Sequence, residues 1–334
     1  MTAVAVAVAA ADSGRPAEIV FLDRESLSSE TRLRAPDFRH RLTVFDRSGA
    51  DEVADRIRDA DIVITNKVPV RADAIAAAKR LRLIAVCATG TDMVDVKAAT
   101  ARGIVVSNVR NYATDTVPEH VFALIFALRR SLFAYRDSVR AGRWQAASQF
   151  CFFDHPIGDL AGATIGIVGR GSLGTAVAGI AQAFRMEVLF AGRKGEPAPP
   201  PPYLPFAEML RRSDVITLHL PLRPETRNLI GAAEFAQMER RPILINASRG
   251  GLVDEMALGK ALRSGQIAGA GFDVATAEPP PADHALMQLL DLPNFILTPH
   301  VAWASRGGQQ ALADRLVDNI DAFWRGSPRN VVGG

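Results

Sequence analysis

The chain has 334 residues, of which 48% are hydrophobic and 22% charged. A chain of this length and composition predicts two domains with large buried cores, which excludes collagen-like, disordered and disulfide-miniprotein classes. The formal net charge of +3 comes from 39 Lys and Arg against 36 Asp and Glu, so no nucleic-acid partner is expected. The longest apolar run, 121–128, is far shorter than the roughly 20 residues that span a bilayer, and no membrane segment is expected.

The two cysteines, Cys87 and Cys151, are too few and too far apart for a disulfide framework or a metal cluster. We therefore expect a reduced, cytoplasmic protein without a metal site. The Ala- and Val-rich run from Met1 to Ala11 lacks the basic n-region of a secretory signal peptide and leads into a strand-like segment at Glu18, which argues against export.

The first third of the chain alternates short apolar runs with Ala- and charge-rich stretches. This alternation is typical of a parallel sheet covered by helices on both faces. The predicted strands are 18–23, 42–45, 61–65, 83–87 and 104–107, and the predicted helices are 50–60, 71–81 and 94–102. A long helix is then predicted over 116–140, with Thr116 as its N-cap.

A second series of strands predicts another doubly wound sheet. Its strands are 163–168, 187–190, 215–220, 243–246, 268–273 and 294–297. A closing helix over 305–325 can return to the first sheet, so we predict a discontinuous flavodoxin-like domain, 1–113 plus 304–334, and a dinucleotide-binding domain, 114–303. The predicted fold class is therefore α/β, with two doubly wound parallel-sheet, Rossmann-like domains. The Pro-rich stretch 197–205 is interpreted as a stiff surface loop, with an SH3 or WW ligand as the alternative.

A glycine-rich turn follows the first strand of the second series and precedes a predicted helix over 175–184. Glycines there allow a tight turn, close approach of the backbone to a pyrophosphate, and close packing of helix on strand. Free N–H groups at the helix N-terminus bind anions, so the turn predicts a dinucleotide site. The turn residues are Gly169, Arg170, Gly171, Ser172, Leu173 and Gly174.

The next strand indicates which dinucleotide is expected. NAD sites of this kind usually carry Asp or Glu at the end of that strand, where it binds the ribose 2′-hydroxyl. Here Glu187 lies at the start, and the strand is followed by Gly192, Arg193 and Lys194. The missing carboxylate and the two cations favour NADP(H), because cations bind a 2′-phosphate. The alternative is a solvated cation pair in an enzyme that also uses NAD(H).

Polar residues follow three later strands, at the edge where such sheets bind ligands. Arg249 follows the fourth strand of the second series, Asp273 ends the fifth, and His300 follows the sixth. Glu278 lies five residues beyond Asp273. A guanidinium holds a carboxylate and a carbonyl oxygen together through parallel hydrogen bonds. An imidazolium beside a carboxylate donates a proton to a developing alkoxide. Arg249, Glu278 and His300 therefore predict hydride transfer between a 2-oxo and a 2-hydroxy acid, with the hydride supplied by the cofactor.

These residues also have structural interpretations. Arg249 is one of many loop arginines, and Asp273 can cap the turn that follows it. The remaining histidines are interpreted as structural: His40, His120, His155, His219 and His284.

Several segments, in the same order, resemble the D-isomer-specific 2-hydroxyacid dehydrogenases over about 18–332. The similar segments are 88–95, 103–109, 116–120, 169–174, 246–250, 271–274, 278–279 and 298–300. Segments 149–155 and 300–305 resemble the glycerate dehydrogenase, or hydroxypyruvate reductase, branch of that family.

The resemblance implies a substrate domain, a cofactor domain and an active site in the cleft between them. Arg249 matches the substrate-binding Arg, and Glu278 and His300 match the acid–base pair. Asp273 matches the residue that meets the nicotinamide carboxamide. The backbone of Thr89, Gly90 and Thr91 matches the loop that hydrogen-bonds the substrate carboxylate, and Lys67 and Val68 match the facing loop. Leu220 and Pro221 match the adenine-side wall. The cofactor site is further expected to include Thr116, Thr226, Ala247, Ser248 and Ala302.

Members of the family are usually homodimers joined through the cofactor domains. The resemblance places the helix from Thr116 and the segment through Trp144 at that contact, so a homodimer is expected. Trp303, and Trp144 from a partner subunit, are candidates to shape the substrate pocket, or else serve packing alone.

We therefore expect a cytoplasmic, NADPH-preferring enzyme that reduces hydroxypyruvate, and also glyoxylate, to D-glycerate and glycolate. Three alternatives stay open: a D-lactate-type dehydrogenase for another 2-oxo acid, a nucleotide-sensing corepressor or scaffold on the same fold, and formate or phosphite oxidation. The scaffold predicts long tails or recruitment surfaces, whereas the formate branch carries Gln where this chain has Glu278.

Overall fold

The computed structural model describes residues 15–333, so the run from Met1 to Ala11 lies outside it. The chain divides into two compact units. The first comprises the described residues up to Ala113 and from Ala304 onward, and the second comprises Thr114–Trp303. Each unit is built on one parallel sheet with helices, which confirms the predicted α/β class. Within 15–333, no helix has both the length and the apolar character that crossing a bilayer requires.

The elements follow one another in an alternating order. The strands are β1 (Ala17–Phe21), β2 (His40–Val44), β3 (Ile62–Thr65), β4 (Leu83–Val86), β5 (Val105–Ser107), β6 (Thr164–Val168), β7 (Glu187–Ala191), β8 (Tyr203–Leu204), β9 (Val215–Leu218), β10 (Ile243–Asn246), β11 (Gly269–Phe272) and β12 (Phe295–Leu297). The α-helices are α1 (Val53–Arg56), α2 (Ala72–Ala77), α3 (Val96–Ala101), α4 (Thr116–Arg129), α5 (Leu132–Arg140), α6 (Ser172–Ala183), α7 (Phe206–Arg212), α8 (Ala232–Phe235), α9 (Glu255–Arg263) and α10 (Arg306–Trp324).

The first unit holds a five-stranded sheet in the order β2-β1-β3-β4-β5, with every pair parallel. This is the flavodoxin-like order. β3 and β4 are buried along their whole length because both faces of the sheet are covered. The helix α10 returns from the end of the chain to pack on β4. Asn319 on α10 donates from Nδ2 to the carbonyl oxygen of Asn108 at 2.9 Å. This bond attaches α10 to the residue that follows β5.

The second unit holds a seven-stranded parallel sheet in the order β12-β11-β10-β9-β6-β7-β8. The direction of winding reverses between β6 and β9, and ligands of such sheets bind beyond the carboxyl ends of the strands at that point. The helix α4 packs on β10 and β11. The same edge of the sheet therefore carries the loops that follow β6, β9, β10, β11 and β12.

The prediction of a single long helix over 116–140 is wrong. Ser131 has φ +49° and ψ +39°, a left-handed conformation that ends α4 and separates it from α5. The Ser131 hydroxyl donates to the Pro156 carbonyl at 2.6 Å, so a contact distant in sequence holds this break. The N-cap prediction is also wrong. Asp115 precedes α4, and Thr116 is its first residue and donates from Oγ1 to the carbonyl oxygen of Ala302 at 3.1 Å.

Other boundaries moved by a few residues. The helix predicted over 50–60 is reduced to α1, and the helix after the glycine turn begins at Ser172 rather than at 175. The Pro-rich stretch contains the edge strand β8, which pairs with β7 through Phe190 and Tyr203. The stretch is therefore part of the second unit's sheet.

Asp321 on α10 provides a test of how this helix is held in the first unit. It is buried and accepts from Arg34 Nη1 and from the Asp37 N–H, both at 2.8 Å. Asp318 contacts the same guanidinium at 2.6 Å but is 57% exposed. We expect Asp321→Ala to lower the free energy of unfolding by about 1–3 kcal/mol, because it removes the hydrogen bonds that a buried carboxylate accepts from Arg34 and from the Asp37 N–H. Asp318→Ala is expected to cost less than about 1 kcal/mol. Urea unfolding followed by circular dichroism measures both, and equal losses would contradict this assignment.

Candidate active site

Glu278 and His300 form a hydrogen-bonded pair at the edge of the second unit's sheet. His300 Nδ1 lies 2.7 Å from Glu278 Oε2, and Glu278 Oε1 accepts the Ala275 N–H at 3.0 Å. The His300 side chain is 25% exposed, so solvent and small molecules reach it. Because the carboxylate engages Nδ1, Nε2 is the ring nitrogen positioned to donate or accept a proton.

The backbone of His300 is held in a conformation that costs energy. Its φ is +55°, in the left-handed region that residues other than glycine rarely adopt. The buried carboxylate of Asp273 holds the residues that follow: Oδ1 accepts the Val301 N–H at 3.0 Å and Oδ2 accepts the Ala302 N–H at 2.8 Å. The Trp303 indole N–H also donates to the His300 carbonyl at 3.0 Å. The predicted contact of Asp273 with a nicotinamide stays a prediction, and orienting this loop is a role that the sequence did not indicate.

Two further residues join this network. Thr298 Oγ1 donates to Asp273 Oδ1 at 2.5 Å, and His120 Nε2 lies 3.0 Å from Thr298 Oγ1. His120 is in the first turn of α4, so the network ties that helix to the loop that carries His300. Sequence reasoning missed Thr298, although its position two residues before His300 was a usable signal.

Arg249 lies on the neighbouring loop, after β10. Its carbonyl oxygen accepts from Asn246 Nδ2 at 2.8 Å, and Asn246 Oδ1 accepts the Ser248 N–H at 3.1 Å. Gly250 lies directly against the Glu278 loop, since a Cβ there would be 1.9 Å from the Ala275 oxygen. Only glycine permits this approach. The structure therefore brings the loops of Arg249, Glu278 and His300 to one edge, held by two residues, Asn246 and Gly250, to which sequence reasoning gave no role.

The glycine turn has the geometry of an anion-binding loop. Gly169 has φ +104°, and a Cβ there would lie 2.4 Å from the carbonyl oxygen of His219. Gly171 directly precedes α6, whose first N–H groups have no acceptor within the helix. These N–H groups fit the pyrophosphate of a dinucleotide. Burial lowers the pKa of His219 to about 4, so this histidine is neutral near pH 7 and donates no proton as an acid there.

The two cations after β7 differ in their surroundings. Lys194 Nζ lies 2.8 Å from Glu234 Oε1 and donates to the Leu229 carbonyl at 3.2 Å. Arg193 is exposed, and within 15–333 its guanidinium makes no hydrogen bond or ion pair. Its availability fits a 2′-phosphate, whereas the ammonium of Lys194 is already engaged.

Two other residues, Gly192 and Arg170, lie close to β7 and the glycine turn. Gly192 leaves no room for a carboxylate, since a Cβ there would lie 2.8 Å from Pro199 of the Pro-rich stretch. The guanidinium of Arg170, in the glycine turn, lies 5.2 Å from the centre of the Phe190 ring at the end of β7, a contact of the cation–π type.

The predicted residues on the adenine side are connected to one another. Ser248 Oγ donates to the Leu220 carbonyl at 2.8 Å, and Thr226 Oγ1 donates to the Pro221 carbonyl at 2.8 Å. Ala247 lies directly before Ser248. The loops after β9 and β10 are therefore joined beside the glycine turn.

In the first unit, the carboxylate of Asp23 organises the loop that holds Lys67 and Val68. It accepts the N–H groups of Asn66 at 2.9 Å, Lys67 at 2.6 Å and Val68 at 3.0 Å. Burial raises the pKa of Asp23, and the three N–H bonds oppose that rise. Sequence reasoning placed residue 23 in a strand and missed this role, although a carboxylate just past an apolar strand was the available signal.

The predicted carboxylate-binding loop lies after β4. Its first residue, Thr89, donates from Oγ1 to the Val109 carbonyl at 2.8 Å, and its own carbonyl accepts from Asn108 Nδ2 at 2.6 Å. Within 15–333, the backbone N–H groups of Thr89, Gly90 and Thr91 have no acceptor. They are therefore available to an anionic ligand. In the described part of the chain, no three His, Cys, Asp or Glu side chains are grouped to hold a metal ion.

Comparison with known proteins places the chain in a family. Residues 122–302 match the family model for the D-isomer specific 2-hydroxyacid dehydrogenase, NAD binding domain. A glycerate dehydrogenase from Methylorubrum extorquens is 51% identical over 316 residues, which cover 94% of this chain and 98% of that protein. A hydroxypyruvate reductase from Blautia hydrogenotrophica is 39% identical over 295 residues, covering 86% and 91%.

A solved structure agrees with these relatives. The NADPH-dependent glyoxylate/hydroxypyruvate reductase from Sinorhizobium meliloti, in complex with NADP and malonate, is 29% identical with a TM-score of 0.79 and covers 96% of this chain and 97% of that chain. The family model spans more than half of the chain, and a relative more than half identical matches nearly its whole length. The chain therefore belongs to the D-isomer specific 2-hydroxyacid dehydrogenase family.

Proposed function

We propose that this protein reduces hydroxypyruvate, and also glyoxylate, to D-glycerate and glycolate, with NADPH as its preferred cofactor. The observation that carries the proposal is the 2.7 Å contact of Glu278 with His300, on loops adjoining that of Arg249. The relatives named for hydroxypyruvate, glyoxylate and glycerate chemistry support the choice of substrate.

The three side chains divide the reaction among them. The Arg249 guanidinium binds the substrate carboxylate and its carbonyl oxygen, because its planar set of N–H donors matches two oxygens at once. His300 Nε2 gives its proton to the carbonyl oxygen as that oxygen gains negative charge. The Glu278 carboxylate orients the ring through Nδ1 and stabilises the imidazolium before transfer. When bound, the reduced nicotinamide supplies the hydride to the carbonyl carbon.

Other residues bind and position the reactants. We propose that the free N–H groups of Thr89, Gly90 and Thr91 bind the substrate carboxylate, with Lys67 and Val68 on a second substrate loop. The first N–H groups of α6 bind the pyrophosphate. Arg193 binds the 2′-phosphate. Arg170 of the glycine turn lies over the ring of Phe190, three residues before Arg193 in the chain.

The main test is a set of initial rates for hydroxypyruvate, glyoxylate and pyruvate, each with NADPH and with NADH. We expect hydroxypyruvate to give the highest kcat/KM and NADPH to exceed NADH. A higher kcat/KM for pyruvate would favour a D-lactate-type dehydrogenase. Cofactor binding without turnover of any 2-oxo acid would favour the scaffold alternative.

The variant that tests His300 as the acid is His300→Asn, because Asn tolerates the left-handed backbone at this position. We expect kcat/KM to fall by about 10²–10⁴-fold, the range that general acid catalysis contributes, while the Kd for NADPH stays unchanged. His40→Ala is the control, since the His40 ring lies in the first unit and bonds to the Phe38 carbonyl at 2.8 Å. Turnover at the wild-type rate in His300→Asn would rule out His300 as the acid.

The cofactor preference is tested by separating the two cations. We expect Arg193→Ala to raise the KM for NADPH by about 10- to 100-fold, because a charge-assisted bond to phosphate contributes roughly 1.5–3 kcal/mol. The KM for NADH is expected to change little. Lys194→Ala is the matched control, with a smaller effect on NADPH, since its ammonium is paired with Glu234. Equal changes for the two cofactors would contradict a 2′-phosphate site.

We also propose that the protein is a homodimer joined through the second unit; a cytoplasmic location stays a prediction from the sequence. Large apolar side chains are exposed on α5 and the segment after it, among them Phe150 at 86% and Phe153 at 76%. A concentration of exposed large apolar side chains in one segment supports an interface there. The exposed residues are Leu132, Phe133, Val139, Trp144, Phe150, Phe153 and Ile157.

Sedimentation velocity tests the dimer. We expect the wild type at twice the mass of one chain and the double variant Phe150→Asp with Phe153→Asp at the mass of one. Leu290→Asp is the control, because this exposed apolar residue lies away from that segment in sequence. A monomeric wild type, or a double variant that still dimerises, would contradict the proposed interface.

A further inference from the structure

A second Glu–His pair lies beneath the loop that carries Glu278. Glu255 Oε1 accepts the Thr276 N–H at 2.9 Å, and its Oε2 accepts Thr276 Oγ1 at 2.8 Å. His284 Nε2 lies 3.2 Å from Glu255 Oε2 and 2.9 Å from Thr276 Oγ1. The side chains of Glu255 and His284 are only 8% and 9% exposed. Neither carboxylate nor imidazole is therefore placed to meet a substrate.

The three residues hold the loop on both sides of Glu278. Thr276 comes two residues before Glu278 and His284 six residues after it, whereas Glu255 is the first residue of α9. His284 Nδ1 accepts the Leu286 N–H at 3.3 Å. With Nδ1 accepting, Nε2 carries the ring proton and donates it toward Thr276 and Glu255. Through Glu255, the helix α9 thus holds the loop that carries Glu278 on both sides of that residue.

The anchor lies next to the bond that orients Glu278. The Thr276 N–H donates to Glu255, and the adjacent Ala275 N–H donates to Glu278 Oε1 at 3.0 Å. Glu278 itself is 37% exposed, so burial does not restrict its side chain. Its position on His300 depends on where Ala275 and Thr276 are held.

We propose that Glu255, Thr276 and His284 form a buried latch of positioning residues that fixes the Glu278 loop and so keeps Glu278 Oε2 on His300 Nδ1. The inference rests on the acid–base pair of the proposed function. It adds to that function a set of three residues that touch neither substrate nor cofactor. Displacement of a supporting loop by about 1 Å can cost on the order of 100-fold in rate, which is why such a latch matters to turnover.

The test uses Thr276→Val, which removes the hydroxyl and keeps the branched shape, and Thr276→Ser, which retains the hydroxyl. We expect Thr276→Val to lower kcat for hydroxypyruvate about tenfold with the Kd for NADPH unchanged, because the reacting groups are misplaced rather than the cofactor site. Thr276→Ser is expected to keep the wild-type kcat, because its hydroxyl remains. Glu255→Gln, which keeps one acceptor for the Thr276 N–H, is a second variant and should act in the same direction.

A double-mutant cycle separates positioning from stability. In the Glu278→Gln background the carboxylate that the latch positions is gone, so Thr276→Val is expected to have no further effect on kcat. The same fold-loss in both backgrounds, or wild-type kcat in Thr276→Val, would overturn the proposal.

A crystal structure of Thr276→Val gives a readout that does not depend on activity. Loss of the contact between Glu278 Oε2 and His300 Nδ1 supports the latch, and retention of that contact overturns it. Absence of turnover in the wild type would contradict the proposed function, and the same crystal structure would still decide for or against the latch.

Discussion

The hydrogen bond between Glu278 and His300, 2.7 Å long, is the interaction on which the candidate site depends. An imidazole acts as a directional acid only when one ring nitrogen is engaged and the other faces the reacting atom. The two residues come from different loops, after β11 and β12, and each loop needs its own support. Asp273 and Thr298 hold the backbone of His300, and the Ala275 N–H holds Glu278. Much of the local structure serves this one contact.

Buried carboxylates organise the loops at the carboxyl ends of the strands in both units. Asp23 accepts three successive N–H groups after β3, Asp273 accepts two after β12, and Glu255 accepts one after β11. A carboxylate is stable in such a place only when hydrogen bonds replace the water it has lost. The cost of burying the charge is thereby offset by ordering a functional loop. Asp273 directly follows β11 and Asp23 lies two residues past the end of β1, where chain geometry brings each beside the neighbouring loop.

Close approach of backbone to backbone is the second constraint. Gly250 meets the Ala275 carbonyl, and Gly169 meets the His219 carbonyl, at distances that exclude a Cβ. The first approach joins the Arg249 and Glu278 loops, and the second closes the glycine turn onto the residue that follows β9. Polar side chains supply the chemistry, but these glycines allow the loops that carry them to lie close together.

The sequence by itself determined the class of fold, the glycine turn and the candidate set of Arg249, Glu278 and His300. Each of these follows from a local sequence pattern: a buried strand followed by a helix, glycines at fixed spacing, or a polar residue at the end of a strand. Other features depended on partners distant in the chain. The break at Ser131 is held by Pro156, and Lys194 is engaged by Glu234. His120 and His284 likewise gained their places in the networks around the site from Thr298 and Glu255. Only the tertiary structure decided these roles, because a local pattern shows which side chain is present and not which distant group it meets.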